Sequence, residues 1–241
     1  MKKLILIVLV LFCILLLIPN KEKSERKVEV VKEKKAVFFS YIELQKYVKN
    51  TNVSDSKKSV DNIVNTLDEY KFNMLILQVR SFSDAIYESK LFPWSSSVSS
   101  SEGIDPGYDV LAYFIKRCHE KNIEVHAWVN PYRIRNNNDT STISDKNKAY
   151  SLLNTNSVQI SEGGIFYNPA SEEVKKLIVD GISEIVSNYS VDGILFDDYF
   201  YPNSTIDLEN FREYSKNNGK MILNKKKTSN NFLGRISSDA S

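Results

Sequence analysis

Asn73-Met74-Leu75-Ile76-Leu77-Gln78-Val79-Arg80 is apolar almost without interruption until its last residues. A strand with one wet face alternates, so this run predicts a strand covered on both sides, the habit of parallel sheets. Upstream, Val60, Ile63, Val64, Leu67 and Tyr70 recur at helical spacing between Ser59 and Tyr70, leaving Asp61, Asn62, Asp68 and Glu69 for solvent. Before that helix, Ala36-Val37-Phe38-Phe39-Ser40-Tyr41-Ile42 has the β-branched and aromatic content of a first strand. Downstream, Asp105-Pro106-Gly107 offers a helix cap with proline at the first helical position. Val110, Leu111, Phe114, Ile115 and Cys118 then mark one face as far as Lys121.

The alternation continues. Ile123-Glu124-Val125-His126-Ala127-Trp128-Val129-Asn130 reads as strand three, and residues 131–167 as a long Asn-, Ser- and Asp-rich connection of the kind that carries function. Asn168-Pro169 opens a third helix striped by Val174, Leu177, Ile178, Ile182, Ile185, Val186 and Tyr189, and Gly193-Ile194-Leu195-Phe196-Asp197 is strand four. Strands alternating with helices imply right-handed β-α-β units, which leaves a doubly wound sheet or a (β/α)-barrel. No glycine-rich phosphate loop follows any strand, which weighs against nucleotide-binding versions.

Both ends differ from this body. Lys2 and Lys3 precede the apolar run Leu4–Ile18, which stops at Pro19. As helix it would rise about 22 Å, short of the roughly 30 Å hydrocarbon core. Residues 1–19 therefore predict a signal peptide or an uncleaved membrane anchor, and export either way. Residues 20–35 are a Lys/Glu-rich linker. Beyond Pro202 only Leu208–Lys216 keeps a helical pattern, and residues 221–241 form a basic tail. The organised part, residues 36–220, thus reads as an α/β TIM-type barrel truncated to about four β/α units, where a whole barrel has eight. An open sheet exposes edges that two such halves could hide by self-association.

The net charge of +2 conceals an acidic middle: residues 36–215 hold 17 Lys/Arg against 25 Asp/Glu. Such a body repels phosphate backbones, so nucleic acid is not expected as a partner. Of the two cysteines, Cys13 falls in the apolar run and Cys118 on a helix, with neither disulfide nor metal-ligand spacing. No metal and no cofactor are expected.

Parallel folds gather working residues at the carboxyl ends of strands. Here those ends read Gln78 to Asp84, His126 to Arg133, and Phe196 to Pro202. Period-two alternation puts Gln78 with Arg80 on one face, and His126, Trp128 and Asn130 on one face. An indole stacks on a sugar ring while Gln, Arg, Asn and His match its hydroxyls, so carbohydrate is the ligand class implied. Glycosidic cleavage normally uses two carboxyl groups. Asp197 and Asp198 are the catalytic candidates, but neighbours on a strand face opposite ways, so one acts and the other braces the loop or an arginine. A partner carboxylate would be Asp84 or, second, Glu43, unless it lies on strands beyond these four. Taken alone, an Asp-Asp pair is a capping or turn device, the His126/Trp128 face is barrel filling, Arg133 and Arg135 are a solvated loop, and Tyr199 and Tyr201 are packing residues.

Six segments decide between these readings: Gln78-Val79-Arg80 with Asp84; Phe92-Pro93-Trp94; Pro106-Gly107-Tyr108-Asp109; His126 through Arg133; Tyr167-Asn168-Pro169-Ala170; and Val191 through Pro202. In this order they resemble the glycosyl-hydrolase-like 10 family, over roughly residues 34–220. The resemblance implies a TIM-type barrel in an envelope or secreted protein that hydrolyses O-glycosidic bonds, with peptidoglycan glycan strands stripped of peptides as substrate. Strand four has Leu195 where that family often carries a histidine. The expected site is Asp197 or Asp198 as catalyst, with Gln78, Arg80, Asp84, Trp94, His126, Trp128, Asn130, Tyr132, Arg133, Tyr199 and Tyr201 binding substrate. The rival reading is a carbohydrate-binding remnant without turnover.

Overall fold

The structure is a computed structural model that describes residues 33–49, 52–161 and 163–199. The apolar run of residues 4–18, most of the charged linker, the Leu208–Lys216 helix, the basic tail and Tyr201 lie outside the described residues. All described elements belong to a compact unit that starts at Lys34.

Four strands make the main sheet: β1 (Ala36–Phe39), β2 (Met74–Arg80), β3 (Glu124–Val129) and β7 (Gly193–Phe196). Every neighbouring pair is parallel, and the order β1-β2-β3-β7 follows the chain without reversal. A doubly wound sheet reverses its order midway, so the winding is that of a (β/α)-barrel. The long helices cover one face only. These are α2 (Val53–Glu69), α3 (Val110–His119) and α5 (Glu172–Asn188).

One core joins that sheet face to the helices. Leu75, Leu77 and Val79 of β2 and Val125, Ala127 and Val129 of β3 are buried with Val60, Val64 and Leu67 of α2, Leu111 and Phe114 of α3, and Val174, Leu177 and Ile185 of α5. Each such side chain contributes roughly 1.5–3 kcal/mol of transfer free energy. Cys118 is one of them, and burial pushes its thiol up to about 12. Among the described residues the opposite, inner face is open at its flanks, where Phe38 is 57% exposed beside the half-buried His126 and Trp128, while Ile76 and Gln78 of β2 are buried on it.

Several boundaries differ from the sequence expectations. Strand one stops at Phe39, because Ser40 caps a short helix, α1 (Tyr41–Glu43), in a capping box with Glu43. That helix runs on as a π-turn, Leu44–Val48. Helix α2 begins at Val53, six residues before the expected start, where the Asn52 side chain accepts from the Ser54 and Asp55 amides. The cap of α3 is Asp109, not Asp105. Asp105 instead accepts the Gly107 amide at 2.6 Å, and Gly107 has φ +87°, which no right-handed helix tolerates. Ser171, and not Asn168, caps α5.

The long connection after β3 is folded. It holds β4 (Arg133–Arg135), α4 (Lys148–Leu152), β5 (Val158–Ser161) and β6 (Gly164–Tyr167). The strands form a small antiparallel sheet in the order β4-β6-β5.

Candidate functional site

The inner face can be read from the register. Phe38 pairs with Ile76, Ile76 with His126 and His126 with Gly193; one step on, Gln78 pairs with Trp128 and Trp128 with Leu195. Partners in a parallel ladder project to the same side, so these residues share one surface. The Asp197 amide donates to the Val129 carbonyl, 3.1 Å, which sets Asp197 beside Asn130 at the next step. The strand-three aromatic and the strand-four aspartate thus open on the same side at the same end of the sheet.

Trp128 is held in place. Its Nε1 donates to Asn130 Oδ1 at 3.0 Å, and Phe38 meets it edge-on with ring centroids 5.6 Å apart. His126 lies one step lower on the same face, its Nε2 3.5 Å from Glu124 Oε2. Gly193 makes room for it, since a Cβ there would come within 2.6 Å of His126 Nδ1. Gln78 is buried, and its Oε1 accepts the Tyr41 amide at 3.0 Å, tying the end of β2 to the turn after β1.

Arg80 does not share a face with Gln78. The register slips between them, so that Arg80 pairs with Val129, whose side chain points into the helix-covered core. A bulge of this kind re-aims the side chain beyond it. Arg80 is 2% exposed, with its guanidinium 4.0 Å above the Phe92 ring. Its Nη1 has no hydrogen-bond partner and lies against Gly181 of α5. In this position it is a buried anchor under α5 and not part of the mouth.

Asp84 is enclosed as well, 3% exposed, with the Phe82 amide donating to Oδ1 at 3.2 Å. Burial pushes its carboxyl above the ordinary range; a hydrogen bond from the Ser95 side chain opposes this, and the nearby Glu102 adds to it. Around it runs a polar network. Arg135 donates to Glu102 Oε2 (2.6 Å), to the Phe82 carbonyl (3.1 Å) and to the Thr142 carbonyl (3.0 Å). Asn147 donates to Glu102 Oε1, 2.7 Å, and to the Ser83 carbonyl, 3.1 Å. Ser83 Oγ donates to Asn147 Oδ1 and shares a 2.7 Å hydrogen bond with Tyr167. Arg135, read from sequence as a solvated loop residue, is therefore a half-buried tie between the loops after β2 and β3. Ser83, at φ +60°, is the strained hinge of that tie.

The two adjacent aspartates differ. Asp198 is ion-paired with Arg133 through Nε, and its backbone sits at φ +54°. The Arg133 guanidinium also lies 5.0 Å over Phe166, so Asp198 is tied to the small sheet. Asp197 is exposed, and its Oδ1 accepts the Asp198 amide at 2.8 Å. Glu43 is committed to the Ser40 capping box, whose hydrogen bonds hold its carboxyl below the usual range. Tyr132 is half-buried, its carbonyl accepting the Tyr167 amide at 2.7 Å. Trp94 forms a bridge with Ala85 and is half-buried, and Tyr199 is exposed at the end of β7. Among the described residues no cluster of three His, Cys, Asp or Glu side chains could hold a metal ion.

The structure thus brings Gln78, Trp128, Asn130 and Asp197 to one end of the inner face, with His126 below them and Arg133 bracing Asp198. It removes Arg80 and Asp84 to enclosed positions, and Gln78, 2% exposed with its Oε1 taken by the Tyr41 amide, supports the row from below. Phe38 was not among the expected site residues; its signal was present in the sequence, because period two from the start of strand one puts Phe38 on the face that Trp128 occupies.

Comparison with known proteins identifies the family. The model of the family described as glycosyl hydrolase-like 10 matches residues 35–232. Glycosyl hydrolase YngK of Bacillus subtilis is 36% identical over 155 residues, 64% of this chain and 30% of that protein. Glycosyl hydrolase DigH of Escherichia coli K12 is 34% identical over 159 residues, 61% of this chain and 36% of that protein. The chain therefore spans about a third of the length of these relatives. With the family model covering the whole parallel sheet and its helices, the chain belongs to the glycosyl hydrolase-like 10 family.

Proposed function

We propose that the chain carries part of a glycoside hydrolase site that cleaves O-glycosidic bonds of a polysaccharide such as peptidoglycan glycan strands. Asp197 is the carboxylate offered to the sugar, and Asp198 is its brace through Arg133. The observation that carries this reading is the row Gln78, Trp128, Asn130, Asp197 across neighbouring strand ends. A sugar ring on the fixed Trp128 indole would have Asn130 and Asp197 within reach of its hydroxyls and glycosidic oxygen. The lysine-led apolar run at the N-terminus supports export, which would put the chain at the outer face of the membrane or beyond, where such glycans are found.

Cleavage needs a second carboxyl group, roughly 5–5.5 Å away for retention or 6.5–9.5 Å for inversion. Asp84 is enclosed and Glu43 is committed to its cap, which favours, as second reading, a module that holds glycan without turning it over. Release of reducing ends from purified, peptide-free glycan decides between the two. The first reading predicts release by the wild-type chain, loss of at least about a hundredfold in Asp197→Asn, and a smaller loss in Asp198→Asn. Glycan retention with no release at all selects the second reading.

A further inference from the structure

Between the loops that follow β1 and β2 lies a concavity of about 570 Å³, lined by Gln45, Lys49, Ser100, Ile104, Asp105 and Pro106 together with Ser99. We infer that it is an outlying sugar subsite that receives a more distant residue of the same glycan chain. This inference rests on the reading that the mouth itself takes saccharide.

Position is the first argument. One wall is the π-turn that follows β1, and the other is the loop between β2 and α3. Both connect the carboxyl end of a strand to the next helix, so the concavity is built at the same end of the sheet as Trp128 and Asp197. A polymer lying across that side would pass over it.

Construction is the second. The Lys49 amide donates to the Leu44 carbonyl at 2.9 Å, a wide five-residue turn that brings Gln45 and Lys49 to one wall. Such turns are rare and gather at functional sites. The facing loop is fixed from behind. The Gly103 amide donates to the Trp94 carbonyl (2.8 Å), and Lys146 Nζ donates to the Gly103 carbonyl (3.0 Å). Ser99 Oγ donates to the Ser101 carbonyl at 2.7 Å. The walls are therefore preformed, and the volume falls within the range of small-molecule sites.

Chemistry is the third. An amide, an ammonium, a hydroxyl and a carboxylate surround the apolar edges of Ile104 and Pro106. Ile104 is 47% exposed, although it sits in a concavity. An uncharged pyranose matches this set, with an apolar face for Ile104 and Pro106 and hydroxyls that accept from Lys49 and donate to Asp105. The mixed charges disfavour a strongly anionic or cationic guest.

The test compares peptide-free glycan oligosaccharides of two and eight sugars, titrated calorimetrically into the full chain and into two variants. The variants are the double substitution Gln45→Ala with Lys49→Ala, and Ser100→Trp, which fills the concavity. The wild type should hold the longer probe more tightly than the shorter. Both variants should weaken the eight-sugar probe about tenfold, the loss of one or two hydrogen-bonded contacts, and leave the two-sugar probe unchanged. Equal affinity of the wild type for both lengths overturns the subsite, as does an equal loss for both lengths in the variants. Two-sugar binding that ignores Trp128→Ala and Asp197→Asn overturns the reading of the mouth instead, and binding of neither probe overturns both.

Discussion

Gly181 lies in the middle of α5, where alanine would ordinarily gain about 0.8–1 kcal/mol over glycine in helix propensity. Here the sign should invert. A Cβ at 181 would stand 2.7 Å from Phe92 Cε2 and closer still to Arg80 Nη1. Arg80 cannot yield, because it is 2% exposed and stacked at 4.0 Å on Phe92, and drawing it away forfeits about 2 kcal/mol of cation–π attraction. Overpacking in such places costs about 1–3 kcal/mol. Gly181→Ala should therefore destabilise the chain by about 1–2 kcal/mol net, read as a lowered urea midpoint at unchanged slope. Replacing the guanidinium as well should restore room, so the double variant Arg80→Met with Gly181→Ala should cost less than the sum of the singles. A gain of about 1 kcal/mol in Gly181→Ala, the ordinary helix value, would refute the placement of Arg80 under α5.

Other consequences can be checked with the same unfolding assay. Asp109 accepts the Ala112 amide at 2.8 Å, the Glu88 amide at 3.0 Å and the Tyr189 hydroxyl at 2.5 Å, so Asp109→Ala should cost roughly 2–4 kcal/mol, a cap plus stranded donors. Asp109→Asn should cost clearly less. The Asp84 carboxyl titrates above its unfolded value of about 3.9. Between the two values the folded chain keeps a proton that the unfolded chain has released, so stability falls as pH rises from about 4 through the folded value. Asp84→Asn should lack this fall, and a wild-type curve parallel to that of the variant would contradict it. Arg133→Met should change the unfolding free energy by less than about 1 kcal/mol, since the pair with Asp198 is partly solvated. It should nonetheless reduce glycan cleavage by releasing the end of β7.

Much of the sheet was legible because burial on both faces leaves its mark on composition. Strands expected at 73–80 and 123–130 occur as 74–80 and 124–129, and the apolar stripes of three helices face the core except at Tyr70 and Val186, which are exposed. Helix starts were harder to read. At α2 the stripe is interrupted by Ser56, a buried polar residue whose hydroxyl donates to the Val48 carbonyl at 2.7 Å, so hydrophobic periodicity alone misses the first turn and a half. At α3 both Asp105 and Asp109 could cap, and only the positive φ of Gly107 decides between them. The small antiparallel sheet was missed because its strands have three or four residues, too few to show a period.

The site was legible where it depends on one strand and illegible where it depends on two. Alternation alone gives the shared face of His126, Trp128 and Asn130. The bulge that turns Arg80 inward is a slip between β2 and β3, and no pattern within β2 contains it. The surroundings of Asp84 likewise come from residues farther along the chain, Ser95, Glu102 and Arg135.

The chain has two tryptophans, Trp94 and Trp128, so Trp94→Phe leaves the indole at the mouth as the sole tryptophan, excited selectively over the tyrosines. Titrating that variant with peptide-free glycan oligosaccharide, while heat of binding is recorded in parallel, tests whether sugar meets the strand ends. A saturable change in Trp128 emission that tracks the heat is the predicted result. Heat of binding with emission unchanged would show that glycan binds elsewhere, and would contradict the assignment of the site.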